Sequence, residues 1–524
     1  MVEGMFREWE KHPGTVSGIG PVRPRVSETR SRQTGDKRCE RKALRPPGID
    51  WDTPAGSPSG SVCVPVCEIL AVREADVEGR GKTSGRWQRL SRRPAEGYPY
   101  AFTVSYVERV KQHRWRCRDV TFQCADGAVC QQWIHSIRDQ LSKLTGRPRH
   151  LLVYINPHGG RGRGKQIYEE KVAPLFSRAS ISASVIVTER ANHARDHLKT
   201  DADLKKYDGV VCVGGDGMFS EVLHGLVSRT QRDAGVDQNR REQRLVPCPV
   251  RIGIIPAGST DCVCYGTVGV NDPVTSALHI IVGDSQPLDV CSIRHADALL
   301  RYSVSLLGYG FYGDVLTDSE RRRWMGPVRY DVSGLKTFLA HNYYEGTVSF
   351  LPATDVAGSP RDKTTCRAGC SRCLKDSQAY GTGNCVRGRD QGGDWRVIRG
   401  KFLAVNAAGM SCACPRSPGG LSPSAHLADG TTDLILVRKC SRASFLRHLL
   451  RHTSPQDQFD LSFVEVHRVR RFCFMPRRSE HEGDPVCSSW NCDGEILPHA
   501  SVDVGVHCQL IRLFARGIED IATP

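Results

Sequence analysis

Asp216 is the residue whose surroundings most invite chemistry. It sits in "VVCVGGDGMFSEVLHGLV", residues 210–227, where an apolar run ends in three glycines around one acid and an amphipathic stretch follows. Phe219, Val222, Leu223 and Leu226 recur at i, i+3, i+4 and i+7, the signature of a helix burying one face, so the helix begins at the loop. Gly214, Gly215 and Gly217 remove side chains where a phosphate would approach backbone N–H groups, and a helix N-terminus favours an anion there. A carboxylate beside a phosphate site is electrostatically costly unless it takes a proton from an attacking hydroxyl or faces a metal ion. General-base work therefore suits Asp216. A single Gly-Asp-Gly would read equally well as an Asx-type turn bonding local backbone. Here further loops of related character tip the balance toward chemistry.

Those loops are "NPHGGRGRGKQ", "TERANHAR" and "PAGSTD", each after an apolar strand. Gly159, Gly164 and Lys165 satisfy the first part of a P-loop, but Gln166 stands where a Ser or Thr hydroxyl would hold magnesium. The segment is expected to be a phosphate-contacting flap, with a P-loop nucleotide hydrolase as the alternative. In "ERRRWMGPVRY", Arg323 and Arg329 offer guanidinium forks for phosphate, while Arg321 and Arg322 suit a solvated face. "CRAGCSRC" spaces Cys366, Cys370 and Cys373 as C-x3-C-x2-C, three thiols that could take a soft metal with a fourth ligand such as Cys385, or remain reduced and unpaired. "FLRHLLRH", residues 445–452, is basic and amphipathic, as a membrane surface, calmodulin or a packed helix with a charged outer face would require.

The elements that position these residues fall into distinct regimes. Residues 1–60 are rich in Arg, Gly, Pro and Ser without periodicity, and are expected to form a disordered leader. From 61 to 146 come three strand-like runs and a helix carrying Cys130, Trp133, Ile134, Ile137 and Leu141 on one face, which resemble a pleckstrin-homology domain with an incomplete start. Four strand–loop–helix repeats over 147–297 predict a mostly parallel α/β sheet whose ligand sites lie beyond the carboxyl ends of the strands. Residues 298–524 are strand-rich and predict a second, antiparallel β domain, interrupted by a Gly/Cys-rich loop at 354–394.

The chain has 524 residues, 73 basic and 57 acidic, for a formal charge of +16. Such a balance favours a polyanionic partner: nucleotide phosphate, an anionic membrane or nucleic acid. No nucleic-acid reading element is recognisable, so no nucleic-acid partner is expected. The N-terminal sequence lacks a signal-like apolar core, and no apolar run approaches the ~18 residues of a membrane span. Twenty-two cysteines without such a signal are expected to be mostly reduced.

"INPHGG", "TERANHA", "VGGDGMFSEVLHGL", "IPAGSTD" and "NCDGEI", in this order, resemble the diacylglycerol-kinase and sphingosine-kinase superfamily. "LLGYGFYGD", "GLKTFLAHNYYEGTVSFLPA", "MSCAC", "LSPSAHL", "HTSPQDQFD" and "HCQLIRLFARGIE" extend the likeness, within it, to the ceramide kinases from about 61 to 520. The resemblance implies a three-layer α/β nucleotide-binding domain, an antiparallel β-sandwich domain behind it, and a pleckstrin-homology module ahead. It implies ATP-dependent phosphorylation of the primary hydroxyl of ceramide, with Mg2+ and with Ca2+ as an activator. Carried over by position, Asn156, Pro157, His158, Gly159 and Gly160 would contact nucleotide phosphate, and Thr188 and Asn192 would line the nucleotide pocket. Gly214, Gly215 and Asp216 would meet the lipid hydroxyl, with Asp216 as base. Glu221, Gly258, Ser259, Thr260, Arg323, Arg329, Asp493, Gly494 and Glu495 would complete the nucleotide site, and Asp314 would face the lipid head group. Anionic membrane lipids, phosphoinositides among them, and calmodulin are the implied partners; the implied location is cytoplasmic, peripheral on Golgi and plasma membranes. Met218 departs from the GGDGT of the wider superfamily. A catalytically dead membrane-binding scaffold is the remaining alternative.

Overall fold

The computed structural model describes residues 16–18, 20–21, 25–26, 48–52, 61–75, 99–241, 243–326, 328–353, 358–374, 394–454, 456–477 and 487–520. Most of the expected leader, and Cys385, lie outside these residues. The chain divides into two compact units, one essentially 1–147 and the other essentially 148–524.

In the first unit, β1 (Ile69–Ala75), β2 (Tyr100–Val110) and β3 (Arg114–Cys124) precede α1 (Gly127–Ser142). Asp126 caps the helix by accepting from the Ala128 N–H at 2.8 Å. Cys130, Ile134 and Ile137 turn inward from α1 onto Ile69, Val72, Phe102 and Phe122, so the helical spacing seen in the sequence is the spacing that is buried. Within 1–60, Val16–Gly18 pairs antiparallel with β3, and Gly48–Asp52 pairs with Ser61–Pro65.

The second unit opens with β4 (His150–Ile155), β5 (Ser182–Val187), α2 (His193–Thr200), β6 (Gly209–Gly214), α3 (Asp216–Asp233), β7 (Arg251–Pro256), α4 (Cys262–Val268) and α5 (Pro273–Val282). The strands run parallel in the order β5-β4-β6-β7, with Val153 opposite both Val185 and Val211. Every residue of β6 is buried, as a strand covered on both faces by helices requires. Phe219, Val222, Leu223 and Leu226 of α3 supply the cover with at most 1% exposure each, which fixes the helix start at Asp216.

The segment "GGRGRGKQ" departs from expectation. Gly159–Gly162 and Gly164–Ile167 are already helical turns, continued by a wider π turn at Tyr168–Val172 and by Ala173–Arg178. Gly164 is needed for proximity, since a Cβ there would fall 2.5 Å from the Asn156 carbonyl oxygen. The glycines that made this segment read as a flap let a broken helix lie against the strand end.

The boundary expected at 297 falls inside a hairpin between β8 (Gln286–His295) and β9 (Ala298–Ser303). Beyond it come β10 (Leu306–Gly310), α6 (Phe311–Glu320), α7 (Val328–Ala340), β11 (Tyr344–Pro352), β12 (Arg396–Ala408), β13 (Thr432–Arg438), α8 (Arg442–Arg451), β14 (Val464–Pro476), β15 (Trp490–Cys492), β16 (Glu495–Ile496) and β17 (Val502–Leu513). The parallel and antiparallel parts are one hydrogen-bonded network, joined where β7 meets β17 at Ile252 and Leu513. β12 and β14 each give one half to β11 and the other to β13, so these four strands close a ring. Long strands passing from one layer to the next are how stacked sheets turn a corner. Val348, Phe350, Phe402, Phe472, Phe474 and Trp490 pack in this part of the unit.

Candidate active site

At the carboxyl ends of β4, β6 and β7 the loops touch through backbone. A Cβ on Gly159 would fall 3.7 Å from the Gly214 Cα and 3.2 Å from the Ala257 oxygen, and one on Gly258 only 2.5 Å from the Gly215 Cα. The Ala257 N–H donates to the Gly214 carbonyl at 3.0 Å, and Asn156 N–H to Val213 at 3.0 Å. Asn156 Oδ1 accepts from the His158 N–H at 2.9 Å, closing an Asx turn over Pro157. Thr188 is buried against the end of β4, with its N–H and hydroxyl both directed to the Ile155 carbonyl. Asn192, at φ 61°, turns the chain into α2. Ser259 and Thr260 are exposed at the rim. The side chains in this cradle are few, and backbone amides are what it offers an anion.

Asp216 lies half-buried at the first turn of α3. Its two oxygens accept from the Cys262 and Val263 N–H groups of α4, each at 3.0 Å. Burial pushes its carboxyl above the usual range, the two amides pull it back, and the nearby Asp493 raises it further. The amides fix the orientation of the carboxylate, and each oxygen keeps acceptor capacity for a substrate hydroxyl.

A second acid stands beside it. Asp261, in the left-handed region at φ 52°, accepts from the Gly258 N–H with both oxygens at 3.0 and 3.1 Å. Burial and then the neighbouring Asp216 charge push its carboxyl up to about 7, against the Gly258 amide. Sequence reading stopped at Thr260 and missed it. The "GSTD" spelling carries a signal only once Gly258 and Gly215 are known to touch.

The antiparallel strands build the other wall. Asp493, in the turn between β15 and β16, accepts from the Ser303 and Ser305 hydroxyls and from the N–H groups of Val304, Ser305 and Leu306, all within 3.1 Å. It holds the β9–β10 turn in shape, and Gly494 at φ 90° completes its own. Glu495 accepts from Arg301 at 2.6 Å, and Arg301 also donates to Ser220 on α3 at 3.0 Å. His224, one turn after Ser220, donates from Nδ1 to the Ser220 carbonyl at 2.7 Å, and its Nε2 accepts from the Tyr302 N–H at 3.0 Å. Both bonds suit the neutral ring, and burial pushes the imidazole down to about 4. Glu221 is on the same helix, and its Oε2 is buried without a hydrogen-bond partner. A buried carboxylate oxygen without a partner is a hard donor of the kind that suits a divalent cation. Arg301 and His224 went unread in the sequence because each looks like an ordinary member of its strand or helix.

Other expected residues are placed differently. Asp314 on α6 is half-buried, its Oδ2 accepting from Tyr344 at 2.5 Å and its Oδ1 from Ser488 at 2.6 Å, and desolvation raises its carboxyl. Arg323 and Arg329 converge on Glu320, at 2.6 and 3.3 Å, and no hydrogen bond among the described residues joins them to the glycine loops. Lys165 is exposed and pairs with Glu169 at 3.8 Å, so nothing of a P-loop lysine is preserved. Cys366, Cys370 and Cys373 gather with His426. The "FLRHLLRH" segment is α8, which buries Phe445, His448 and Arg451 while Leu446 and Leu450 stay exposed.

An acid held at a helix start by neighbouring amides, a glycine cradle around it and an acidic turn across from it define a kinase of the diacylglycerol kinase catalytic class. The chain matches the diacylglycerol kinase catalytic domain over residues 150–293, flanked by matches to the ceramide kinase PH domain over 34–137 and the ceramide kinase C-terminal domain over 305–523. It is 56% identical over 510 residues to ceramide kinase of Homo sapiens, covering 90% of this chain and 93% of that one. To sphingosine kinase 1 of Arabidopsis thaliana it is 30% identical over 390 residues, covering 72% and 74%. A crystal structure of a diacylglycerol kinase from Bacillus anthracis aligns with TM-score 0.47 and 15% identity over 70% of this chain and 97% of that one. The chain belongs to the ceramide kinase family.

Proposed function

We propose that the chain transfers the γ-phosphoryl group of ATP to the primary hydroxyl of ceramide, giving ceramide 1-phosphate and ADP. The observation that carries this is the backbone contact of Gly159 with Gly214 and of Gly215 with Gly258 around Asp216. Amides of these loops bind phosphate; Asp216 accepts the proton of the attacking hydroxyl as its oxygen bonds to phosphorus and ADP departs. Glu221, with its unpartnered oxygen, would face Mg2+ carried with the nucleotide, which when bound neutralises phosphoryl charge, and Glu495 serves the nucleotide. Asn156 to Gly160, Thr188, Asn192 and Gly258 to Thr260 serve the nucleotide, and Asp493 and Gly494 shape its outer wall. Arg323, its side chain 74% exposed and paired with Glu320, has the reach of a long side chain to swing toward phosphate, with Arg329 behind it.

Ceramide is favoured over sphingosine by charge. Asp314 is already engaged by Tyr344 and Ser488, and Leu316, two residues on, is buried and apolar. An ammonium desolvated there would lack a second acid. Because Leu316 is only 4% exposed, Leu316→Asp would bury a charge and test stability before specificity. The basic chain and its pleckstrin-homology module support peripheral binding to anionic, phosphoinositide-bearing membranes such as the Golgi and plasma membrane. The exposed Leu446 and Leu450 between basic residues of α8 support calmodulin, with Ca2+ as the signal it would carry. No helix among the described residues is long and apolar enough to cross a membrane.

The test is purified protein with labelled ATP and ceramide, sphingosine or diacylglycerol in detergent micelles. Ceramide should give the highest kcat/KM. A sphingosine value equal to or above it would overturn the substrate, and no transfer to any of the three would overturn the reaction.

A further inference from the structure

The three cysteines of "CRAGCSRC" meet a fourth ligand that their spacing does not announce. The Sγ atoms of Cys366, Cys370 and Cys373 and a ring nitrogen of His426 all lie within 4.8 Å of one another. Cys366 Sγ is 3.7 Å from Cys373 Sγ, and Cys370 Sγ is 3.3 Å from His426 Nδ1. A tetrahedral zinc ion with Zn–S bonds of about 2.3 Å and a Zn–N bond of about 2.0 Å implies S···S edges of about 3.8 Å and S···N edges of about 3.5 Å. The observed edges are close to both. A disulfide would need the sulfurs about 2.05 Å apart, and all three cysteines are free thiols.

The surroundings are built as the outer shell of a metal site is built. His426 Nε2 faces the Thr364 hydroxyl at 3.3 Å, and that hydroxyl donates to Asp362 Oδ1 at 2.6 Å. Arg372 holds the other oxygen of Asp362 at 2.7 Å. A hydroxyl–carboxylate relay on Nε2 fixes the ring and leaves Nδ1 as the ligand. The loop bearing His426 is pinned from both sides: Leu427 O accepts from the Asp289 N–H at 2.8 Å, Gly430 N–H donates to the Asp289 carboxylate at 2.6 Å, and Ser424 O accepts from the buried Arg468 at 2.6 Å. On the cysteine side, Gln509 of β17 donates to the Cys373 carbonyl at 3.0 Å. Cys373 and His426 are 2% and 3% exposed, so four protein ligands close the shell and leave no open position for substrate, the pattern of a structural site.

We propose that Cys366, Cys370, Cys373 and His426 bind one Zn2+ as a structural clamp, fastening residues 358–374 to the 421–430 loop and to β17. On binding, three thiols lose their protons and coordinate as thiolates, with neutral His426 as the fourth donor. This proposal does not depend on the substrate assignment.

The full chain, purified under reduction without chelator, should carry about one zinc per chain by mass spectrometric metal analysis. Co2+ exchanged into it should show the visible bands of a tetrahedral thiolate site, a readout that needs no variant. Cys370→Ser and His426→Gln should lose most of the metal, and His426→Cys should keep it as a four-thiolate site. Where Cys370→Ser fails to fold, the His426→Gln and His426→Cys pair decides. Negligible zinc in the parent, both as purified and after incubation with Zn2+ and removal of the excess, overturns the site. Full metal content in His426→Gln overturns the fourth ligand.

Discussion

Two buried carboxylates that feel each other's charge cannot both ionise freely, and Asp216 and Asp261 divide the labour accordingly. Asp216 is held by two amides of α4, one on each oxygen, so Asp216→Asn keeps the volume and one backbone contact, turns its NH2 toward the other N–H and removes the proton acceptor. Turnover should fall ~10²–10⁴-fold in a protein that still folds, with a lower melting temperature from the one unsatisfied amide; activity within a few-fold of the parent would refute the base. Asp261 is raised to about 7 by burial and by Asp216, so it adds its charge to the site only as pH rises through that value. That charge appears beside the phosphate cradle, and KM for ATP should therefore rise between about pH 6 and pH 8 in the parent. Asp261→Asn cannot gain that charge, and its ATP KM should be flatter over the same range; parallel profiles would remove Asp261 from the site. Asp216 was legible in the sequence because glycines flank it and an amphipathic helix follows. Asp261 was not, because its importance comes from a contact between two loops, and His426 was not, because it lies 56 residues from Cys370.

At the scale of elements, the glycines of the cradle separate into those that permit contact and those that leave space. Gly258 has no room for a Cβ, which would fall 2.5 Å from both the Gly215 Cα and the Asp261 carboxylate. Gly258→Ala should push the loops apart and weaken ATP binding at least ~10-fold, since a misplaced cradle forfeits several amide contacts together. Gly217 faces open space, and alanine in this first turn of α3 should leave the fold intact or stabilise it by up to about 1 kcal/mol. If phosphate approaches there, ATP KM rises in Gly217→Ala with no fall in melting temperature. Calorimetric ATP titrations beside thermal unfolding distinguish the two. The four strands before the loops were readable because buried parallel strands are continuous apolar runs. The broken helix after Asn156 was not, because glycines serving close approach are spelled like glycines serving flexibility.

For the whole molecule, residues 148–524 form a compact unit of their own, so a chain lacking 1–146 should bind ATP as the full chain does while binding anionic vesicles less at matched salt. Co-sedimentation checks this, and equal vesicle binding would refute it. Within that unit, the nucleotide and β parts that sequence texture separates are joined in one hydrogen-bonded network, a joint the sequence does not show because pairing partners such as β8 and β17 are far apart in the chain and alternation does not name them. His224 of α3 is one of the joints, bonded in its neutral form to Tyr302 of β9. Its imidazole is pushed down to about 4 by burial, with Arg301 and Arg195 adding to the shift and the Ser220 carbonyl and Asp493 opposing it. Between about pH 6.5 and pH 4 the unfolded chain takes a proton that the folded ring resists, so the stability His224 contributes above pH 6.5 is lost as pH falls through that window. At pH 5 this single group accounts for about 2 kcal/mol. Buried carboxylates such as Asp261 titrate with the opposite sign in the same range, so the informative quantity is a difference between proteins. His224→Gln should be less stable than the parent at pH 7, having lost well-placed bonds, yet its urea midpoint should move less between pH 7 and pH 5. Equal acid shifts in the two proteins would show that the joint between α3 and β9 does not depend on a neutral imidazole.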